Sequence, residues 1–474
     1  MGAAVHVYRK LISFFAPLSL MPIFMFATHT MTDAALARLP APEVMLAAFA
    51  VAKSLSHVLI APTLVHRQVT VAMVESQASY RIVRDVLRVL SGLVFLVMVI
   101  IAFTPISDWV FGRVMGLGSG PVFGVARNGF RFMVVLPLFS YVRNARQGIA
   151  IRLGRTRLVP AVTAIRVLAA IAVLATAVRT EFASGMAVAT LVWVGGMGLE
   201  GIILSVLIAL PHGSCYQATR QIARRSGTAA DDALLTHAAV SRFYLPLIAM
   251  PALGMLILPS INANLARLPS AETTIASFAV AHGLAMLFAS PTLLLYQAVL
   301  AFYRRGSAEN RRILKFCLIV GGGLSGTLLL LTVTPLGGWF AVAVMGLSPG
   351  LAGLMVAALG VFSLMPLVSA WRDYSWGVLM HHRRSNVIGL GRACNLAAVW
   401  LGMALAVILR PVWAGVLPAA AVGAAAFVAG EAVEALVVAH RARKCCGDMT
   451  DPPAGMPGTP TVAAGSAGTG AGRS

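Results

Sequence analysis

Apolar runs about as long as a bilayer is thick alternate with short polar, glycine- and proline-containing breaks along nearly the whole chain. A helix needs roughly 20 mostly apolar residues to cross the ~30 Å hydrocarbon core. Runs of that kind lie near residues 11–30, 43–65, 87–104, 124–142, 158–178 and 186–210. They recur near 243–261, 272–298, 315–334, 350–370, 387–409 and 414–438. The pattern predicts an all-α, polytopic membrane protein with about twelve transmembrane helices. Glycine and proline inside several runs are compatible with this, because neighbouring helices and water-lined cavities satisfy the freed backbone groups.

The second set of runs is a copy of the first. Residues 14–22, FFAPLSLMP, align without a gap on 243–251, FYLPLIAMP. In the same register 36–52, LARLPAPEVMLAAFAVA, fall on 265–281, LARLPSAETTIASFAVA. Further on, Thr104-Pro105 matches Thr334-Pro335 and Trp109 matches Trp339. Val114-Met115-Gly116-Leu117 matches Val344-Met345-Gly346-Leu347, Arg143 matches Arg372, Gly148 matches Gly377 and Glu200 matches Glu431. Shared alanine and leucine content would not align arginine, proline, tryptophan and glutamate in this way. The division expected is therefore 1–212 for the first six-helix half, 213–240 for a cytoplasmic linker, 241–446 for the second half and 447–474 for a disordered cytoplasmic tail. Six spans per half is an even number, so both halves enter the membrane from the same side, as parallel repeats. The first run resembles a secretory signal, yet its copy stands in mid-chain, so it is expected to be a retained helix.

Charge then sets orientation. Arginine and lysine gather at one set of ends: Arg9, Lys10, Arg67, Arg81, Arg84, Arg88, Arg143, Arg146, Arg152, Arg155, Arg157, Arg220, Arg224 and Arg225 in the first half. Arg304, Arg305, Arg311, Arg312, Lys315, Arg372, Arg383, Arg384, Arg441, Arg443 and Lys444 follow in the second. The opposite ends keep few, among them Arg38, Arg113, Arg179, Arg267 and Arg410. By the positive-inside rule both termini are expected in the cytoplasm, in a plasma membrane or a bacterial inner membrane.

Composition narrows the classes. The 474 residues are 59% hydrophobic and 11% charged, against about 25% charged for soluble domains. The net charge of +21 lies in short segments at the ends of runs, where it meets anionic headgroups, so it does not mark a nucleic-acid partner. The five cysteines, at 215, 317, 394, 445 and 446, have no metal-ligand spacing. Cys445-Cys446, just past the last run, are read as inert thiols ahead of acylation sites. No zinc-protease, serine-hydrolase or phosphate-loop motif is present; GLGSG at 116–120 and GGGLSG at 321–326 lack the strand–turn–helix setting and read as packing glycines. Neither an enzyme, nor a cofactor, nor a metal site is expected.

Charges inside the apolar layer cost about 2.5–3.5 kcal/mol each at mid-helix, so each implies a purpose. Lys53 and His57 stand one turn apart in the second run, and His282 occupies the copy of the Lys53 position. Arg166 lies deep in the fifth run, and Arg392 and Asn395 lie in its counterpart. These six are the candidate substrate-binding residues; Lys53, Arg166 and Arg392, and His57 and His282 when protonated, make the interior cationic, and a cavity of that sign attracts anions. Buried hydrogen bonds to helix carbonyls or to a neighbouring glutamate are the structural alternative. Asp33, its copy Asn262, Glu200 and Glu431 are the candidate ion-coupling residues, since a carboxylate that alternates between neutral and charged forms is what proton coupling needs. Clamping within one half is the alternative for them, with Glu434 one turn below Glu431. Arg38 and Arg267, with Glu43 and Glu272, are expected to form structural pairs at the outer mouth.

Two six-helix bundles in parallel repeat, with a proline-containing first helix and a long loop between halves, resemble the multidrug, oligosaccharidyl-lipid and polysaccharide exporter superfamily, whose fold is called MATE-like. Asp33 five residues before Arg38, Pro259-x-x-Asn262 before Arg267, Ala61-Pro62, Arg372 with Trp376, and Gly430-Glu431 resemble its progressive ankylosis branch. His57 stands where that branch has lysine, and its long acidic tail is missing. The resemblance implies export of a small anion of the pyrophosphate, citrate or nucleotide class. With no ATP-binding domain legible, transport is expected to be passive or coupled to H⁺ or Na⁺, by alternating access in a monomer. The rival readings are a lipid-linked oligosaccharide flippase or multidrug exporter of the same superfamily, and a membrane scaffold that transports nothing.

Overall fold

The structure is a computed structural model describing residues 2–226, 235–268, 270–304, 309–382, 384, 386–414 and 416–447. Arg305, Arg383, the pair Asp231-Asp232 and the tail expected past 447 lie outside the described residues, as do the side chains of Arg225, Cys445 and Cys446. Every regular element among the described residues is helical. The first half contains α1 (Gly2–Leu36), α2 (Pro42–Leu64), α3 (His66–Met73), α4 (Gln77–Phe103) and α5 (Ile106–Asp108), which passes into a π-helical turn at Trp109–Val114. Then come α6 (Pro121–Met133), α7 (Leu136–Arg152), α8 (Leu158–Thr180), α9 (Gly185–Thr190), a π turn at Leu191–Gly195, and α10 (Gly196–Ala209). After α11 (Cys215–Ser226) the second half repeats the order: α12 (His237–Met255), α13 (Ile257–Leu265) and α14 (Ala271–Ala289). A 3₁₀ turn at Ser290–Leu294 leads into α15 (Leu295–Phe302), then α16 (Asn310–Val333), and α17 (Pro335–Trp339) with its π turn Phe340–Val344. The chain continues with α18 (Pro349–Phe362), α19 (Met365–His381), α20 (Asn386–Ile408), α21 (Arg410–Trp413) and α22 (Ala419–Gly447).

Among the described residues eleven helical stretches are long and apolar enough to cross a membrane, or twelve if the pair α6–α7, bent by 44°, is one span. Proline accounts for that bend. Pro137 is the second residue of α7 and Pro366 the second of α19; a proline ring cannot continue the preceding turn but suits a new first turn. Both fourth spans run well past the apolar windows read from sequence, to Arg152 and His381. Their polar residues find partners inside the protein, so helix persists where hydropathy falls. α4 likewise begins ten residues ahead of its apolar run, nucleated by the reciprocal Ser76–Ser79 capping box.

The linker differs from a plain polar hinge. Cys215, Ala218 and Ile222 recur at helical spacing and are buried, so α11 lies as an amphipathic helix against Tyr80 and Val83 of α4. On the outside of the bundle Leu168, Ile319, Val333, Trp400 and Leu401 are each more than 60% exposed. Such a girdle is a lipid-facing surface.

The cores show how the halves meet. At the end carrying Leu36, Leu46, Leu265 and Ile275, one continuous core joins both halves. At the other end there are two separate cores, one around Val69, Val83, Ile149 and Ile208, the other around Leu295, Phe316, Val378 and Val438. Each of these takes in the start of the other half's first helix: Val240 and Tyr244 of α12 enter the former, Leu11 and Phe15 of α1 the latter. Tyr244 fixes its crossing with a hydroxyl donated to the Pro62 carbonyl at 2.6 Å and a second bond to His66 Nε2 at 3.0 Å. Phe14 and Phe15 meet Phe302 and Phe316 edge-on. The molecule is joined at one end and split at the other.

Candidate functional site

Between the split ends and the joined end lie two adjoining cavities. One, of about 320 Å³, is lined by Met25, Phe26, His29, His57, Arg143 and Arg166 with Trp193, Met197 and Met255. The other, of about 240 Å³, lies between the halves and is lined by His29, Lys53, His57, His282, Arg372, Arg392 and Glu431. A small chamber of about 50 Å³ towards the joined end is lined by Asp33, Lys53, Asn262 and His282. Volumes of 300 Å³ and above suit small organic ligands.

Five of the six candidate substrate-binding residues face these cavities. Among the described residues Lys53, with its ammonium 5.1 Å from the Phe49 ring centre, makes no ion pair within 4 Å. His57 sits edge-on to Trp193 at 4.8 Å, and His282 packs among Phe278, Phe362 and Phe427. Asn395 is instead fully buried, its amide donating to Glu431 at 3.0 Å and to Glu434 at 2.8 Å. Three cavity residues were not singled out from sequence: His29, Arg143 and Arg372. His29 lies one turn before Asp33 on the same helix face, a spacing that pointed to it. Arg143 and Arg372 were taken for cytoplasmic arginines, because the apolar windows stop before the true ends of α7 and α19.

The two polar clusters are repeat-related but differ in charge. In the first half Glu200 is buried and accepts from Gln147 at 2.6 Å and Thr163 at 3.3 Å, with Arg166 at 3.5 Å. Among the described residues Arg143 hydrogen-bonds only to Asn144 Oδ1, at 3.3 Å, and the Nε atoms of Arg143 and Arg166 are buried without acceptors. Fully ionised, two cavity arginines oppose one glutamate, and Arg67 stands beyond Gln147 as a further cation. In the second half Arg372 is held by Asp373 at 2.9 Å and by Glu431, while Arg392 lies 3.4 Å from Glu431 and 3.2 Å from Glu434. Both guanidiniums stack on Trp376, at 5.0 and 4.9 Å. Here three carboxylates oppose two arginines. Two substitutions between the repeats cause the change: Asp373 replaces Asn144, and Glu434 replaces Ile203.

The ion-coupling candidates therefore occupy three settings. Asp33 and Asn262, both nearly buried, are brought together at the small chamber, Asn262 donating to Ser54 Oγ at 3.2 Å across the halves. Among the described residues the Asp33 carboxylate makes no hydrogen bond and no ion pair. Glu200 is clamped in the first half and Glu431 in the second. Among the described residues no group of three or more histidine, cysteine, aspartate or glutamate side chains is placed to hold a metal.

No protein-family model matches the sequence, and no curated protein does. Solved structures do resemble the fold. An inward-facing multidrug resistance MATE family transporter of the MOP superfamily superposes with TM-score 0.71 over 92% of this chain and 100% of its own, at 12% identity. The eukaryotic MATE transporter AtDTX14 gives TM-score 0.52 over 94% and 99%, at 14% identity. An outward-facing multidrug resistance MATE family transporter gives 0.50 over 92% and 96%, at 14% identity. Fold and composition together define a multi-pass helical membrane protein with the MATE-like arrangement of two six-helix halves.

Proposed function

We propose that the protein is a transporter, not an enzyme, which exports a small anionic metabolite of the pyrophosphate, citrate or nucleotide class by alternating access. The observation that carries this is the charge balance of the first-half cavity. Its two arginines, Arg143 and Arg166, outnumber the one glutamate behind them, Glu200, in a cavity of substrate size. An excess of guanidinium charge around a cavity attracts an anion, which offsets it by charge-assisted hydrogen bonds. Lys53 extends the same sign towards the gap between the halves.

Split cores at one end and a joined core at the other are the form of a transporter open to one side. Greater likeness to the inward-facing than to the outward-facing relative supports the cytoplasmic side as the open one. That agrees with the positive-inside reading, which puts both termini in the cytoplasm of a plasma or bacterial inner membrane. The halves at 1–212 and 241–446 are the rocking units, and the working form is a monomer. Asp33, unpaired beside Lys53 at the small chamber, is the best-placed residue for coupling to H⁺ or Na⁺. Within the superfamily, the Asp33–Arg38 and Asn262–Arg267 spacings favour the progressive ankylosis branch.

A second reading has its own support. Met25, Phe26, Phe49, Trp193, Met197 and Met255 make much of the larger cavity soft and aromatic, which suits an amphipathic drug-like molecule. Liposomes containing the purified protein separate the two. Labelled pyrophosphate, citrate and ATP are trapped, and release is followed with and without a pH gradient. Release of one anion, abolished by Lys53→Ala and weakened by Arg166→Gln in well-folded protein, is the expected result. Release of none of them, with efflux of a hydrophobic cation instead, would replace the anion reading by the multidrug one.

A further inference from the structure

The repeat holds one motif that the cavity does not use. Val-Met-Gly-Leu occurs at 114–117 and again at 344–347, and each copy ends a π turn. Arg38 and Arg267 are also repeated, and the structure brings each arginine to the motif of the opposite half. Arg38 Nη1 donates to the Met345 carbonyl at 2.9 Å, and Nη2 to the Val344 carbonyl at 2.6 Å. The same guanidinium turns back to Ala34 of its own helix at 2.7 Å. Reciprocally, Arg267 Nη2 donates to the carbonyls of Arg113 at 2.8 Å and Val114 at 3.1 Å, and Nη1 to Ala263 of its own helix. Neither arginine pairs with Glu43 or Glu272 among the described residues, as the sequence had led us to expect. Glu43 instead accepts from Thr273 across the halves at 2.7 Å.

The carbonyls are available for a physical reason. The last carbonyls of a helical turn have no N–H within the helix and carry the negative end of its dipole. Gly116 and Gly346 follow at φ +71° and +76°, the left-handed conformation that closes a helix and turns its carbonyls outward. A Cβ on Gly346 would stand 2.8 Å from Arg38 Cγ, and one on Gly116 3.0 Å from Arg267 Cγ. Glycine therefore supplies both the turn and the room for the arginine. The arrangement is a guanidinium of each half capping a helix end of the other.

We propose that Arg38 and Arg267 are paired latches of the gate at the joined end. They hold that end closed in the state seen here and release together when it opens. Both arginines are exposed, so water replaces their bonds readily and the closure is reversible. Beneath them the Asn262 contacts to Ser54 and to the Ala50 carbonyl, at 3.2 and 3.4 Å, form the inner seal above the small chamber. Because the two latches are reciprocal, loosening one moves the half that carries the receiving carbonyls of the other. The inference extends the alternating-access reading, but its test needs no substrate.

The test is accessibility. Ala50→Cys, in full-length protein with the native cysteines replaced by serine, is exposed to a membrane-impermeant thiol reagent from the joined-end face of sealed vesicles. Labelling from the opposite face serves as control. In the parent, labelling from the joined-end face is expected to be slow. Arg38→Ala and Arg267→Ala should each raise its rate by about tenfold or more, as loss of charged hydrogen bonds shifts the equilibrium. Arg38→Lys should not restore closure, because an ammonium lacks the planar fork that spans several carbonyls. Gly116→Ala and Gly346→Ala should act like the arginine variants without altering charge, and they carry the test if the arginine variants do not fold. Labelling at the parent rate in any of these variants that is monodisperse would overturn the proposal. Transport lost with accessibility unchanged would also overturn it, while leaving the transporter reading intact.

Discussion

The charge balance of the first-half cavity makes a prediction of unusual direction: removing a buried carboxylate should strengthen substrate binding. Glu200 is held by Gln147, Thr163 and Arg166 at 2.6, 3.3 and 3.5 Å and is almost wholly buried. Glu200→Gln keeps the size of the side chain and an oxygen for the two neutral donors, but removes its charge. At about 8 Å and an effective dielectric of about 20, one unit of charge acts on each ligand charge with about 2 kcal/mol. For a divalent anion that is about 4 kcal/mol as an upper bound; water in the cavity reduces it, so a gain of at least about tenfold in affinity is expected. Arg166→Gln should cost a similar factor. Losing the ion pair should lower stability by about 1–3 kcal/mol, because Arg166 keeps no other partner among the described residues. The assay is thermal stability of the purified protein across a titration of pyrophosphate and citrate, with affinity taken from the midpoint of the rise. If Glu200→Gln weakens binding while Arg166→Gln leaves it unchanged, in variants that remain folded without ligand, excess cation is not what holds the anion. Glu200 would then be a coupling carboxylate whose charge is required.

Other perturbations follow from packing and hydrogen bonding. A Cβ on Gly148 would stand 2.6 Å from Thr70 Cβ and one on Gly377 2.5 Å from Val299 Cβ, so Gly148→Val or Gly377→Val should destabilise the parent half by about 1–3 kcal/mol or more, read as a fall in melting temperature. Arg392→Met should be tolerated better than Arg372→Met. Arg372, at 2% side-chain exposure, is the main counter-charge of Asp373 and Glu431, and unpairing such a cluster costs about 3–5 kcal/mol. Equal loss of folded protein for both would refute that ranking. Tyr244→Phe removes the bond to Pro62 and should cost about 0.5–1.5 kcal/mol, with proteolysis faster at the split end than at the joined end.

The sequence by itself determined the membrane class, the number of spans, the duplication and the parallel relation of the halves. All follow from local quantities: the length of each apolar run, and residue identities repeated in register. It also located the charges along each span, which is why Lys53, His57, Arg166, His282 and Arg392 were legible as candidates. Tertiary structure decided what each charge does. Hydropathy gives a residue's depth along a helix, but a helix that is apolar on every side gives little sign of which way a side chain points. Hence Asn395 turned to Glu431 and Glu434, and Arg143 and Arg372 were read as loop residues although α7 and α19 carry them into the cavity. The partners of Arg38 and Arg267 were equally hidden, because a backbone carbonyl has no letter in a sequence. Only the meeting of one half's arginine with the other half's helix end gives those residues their place, and it is set by contacts hundreds of residues apart along the chain.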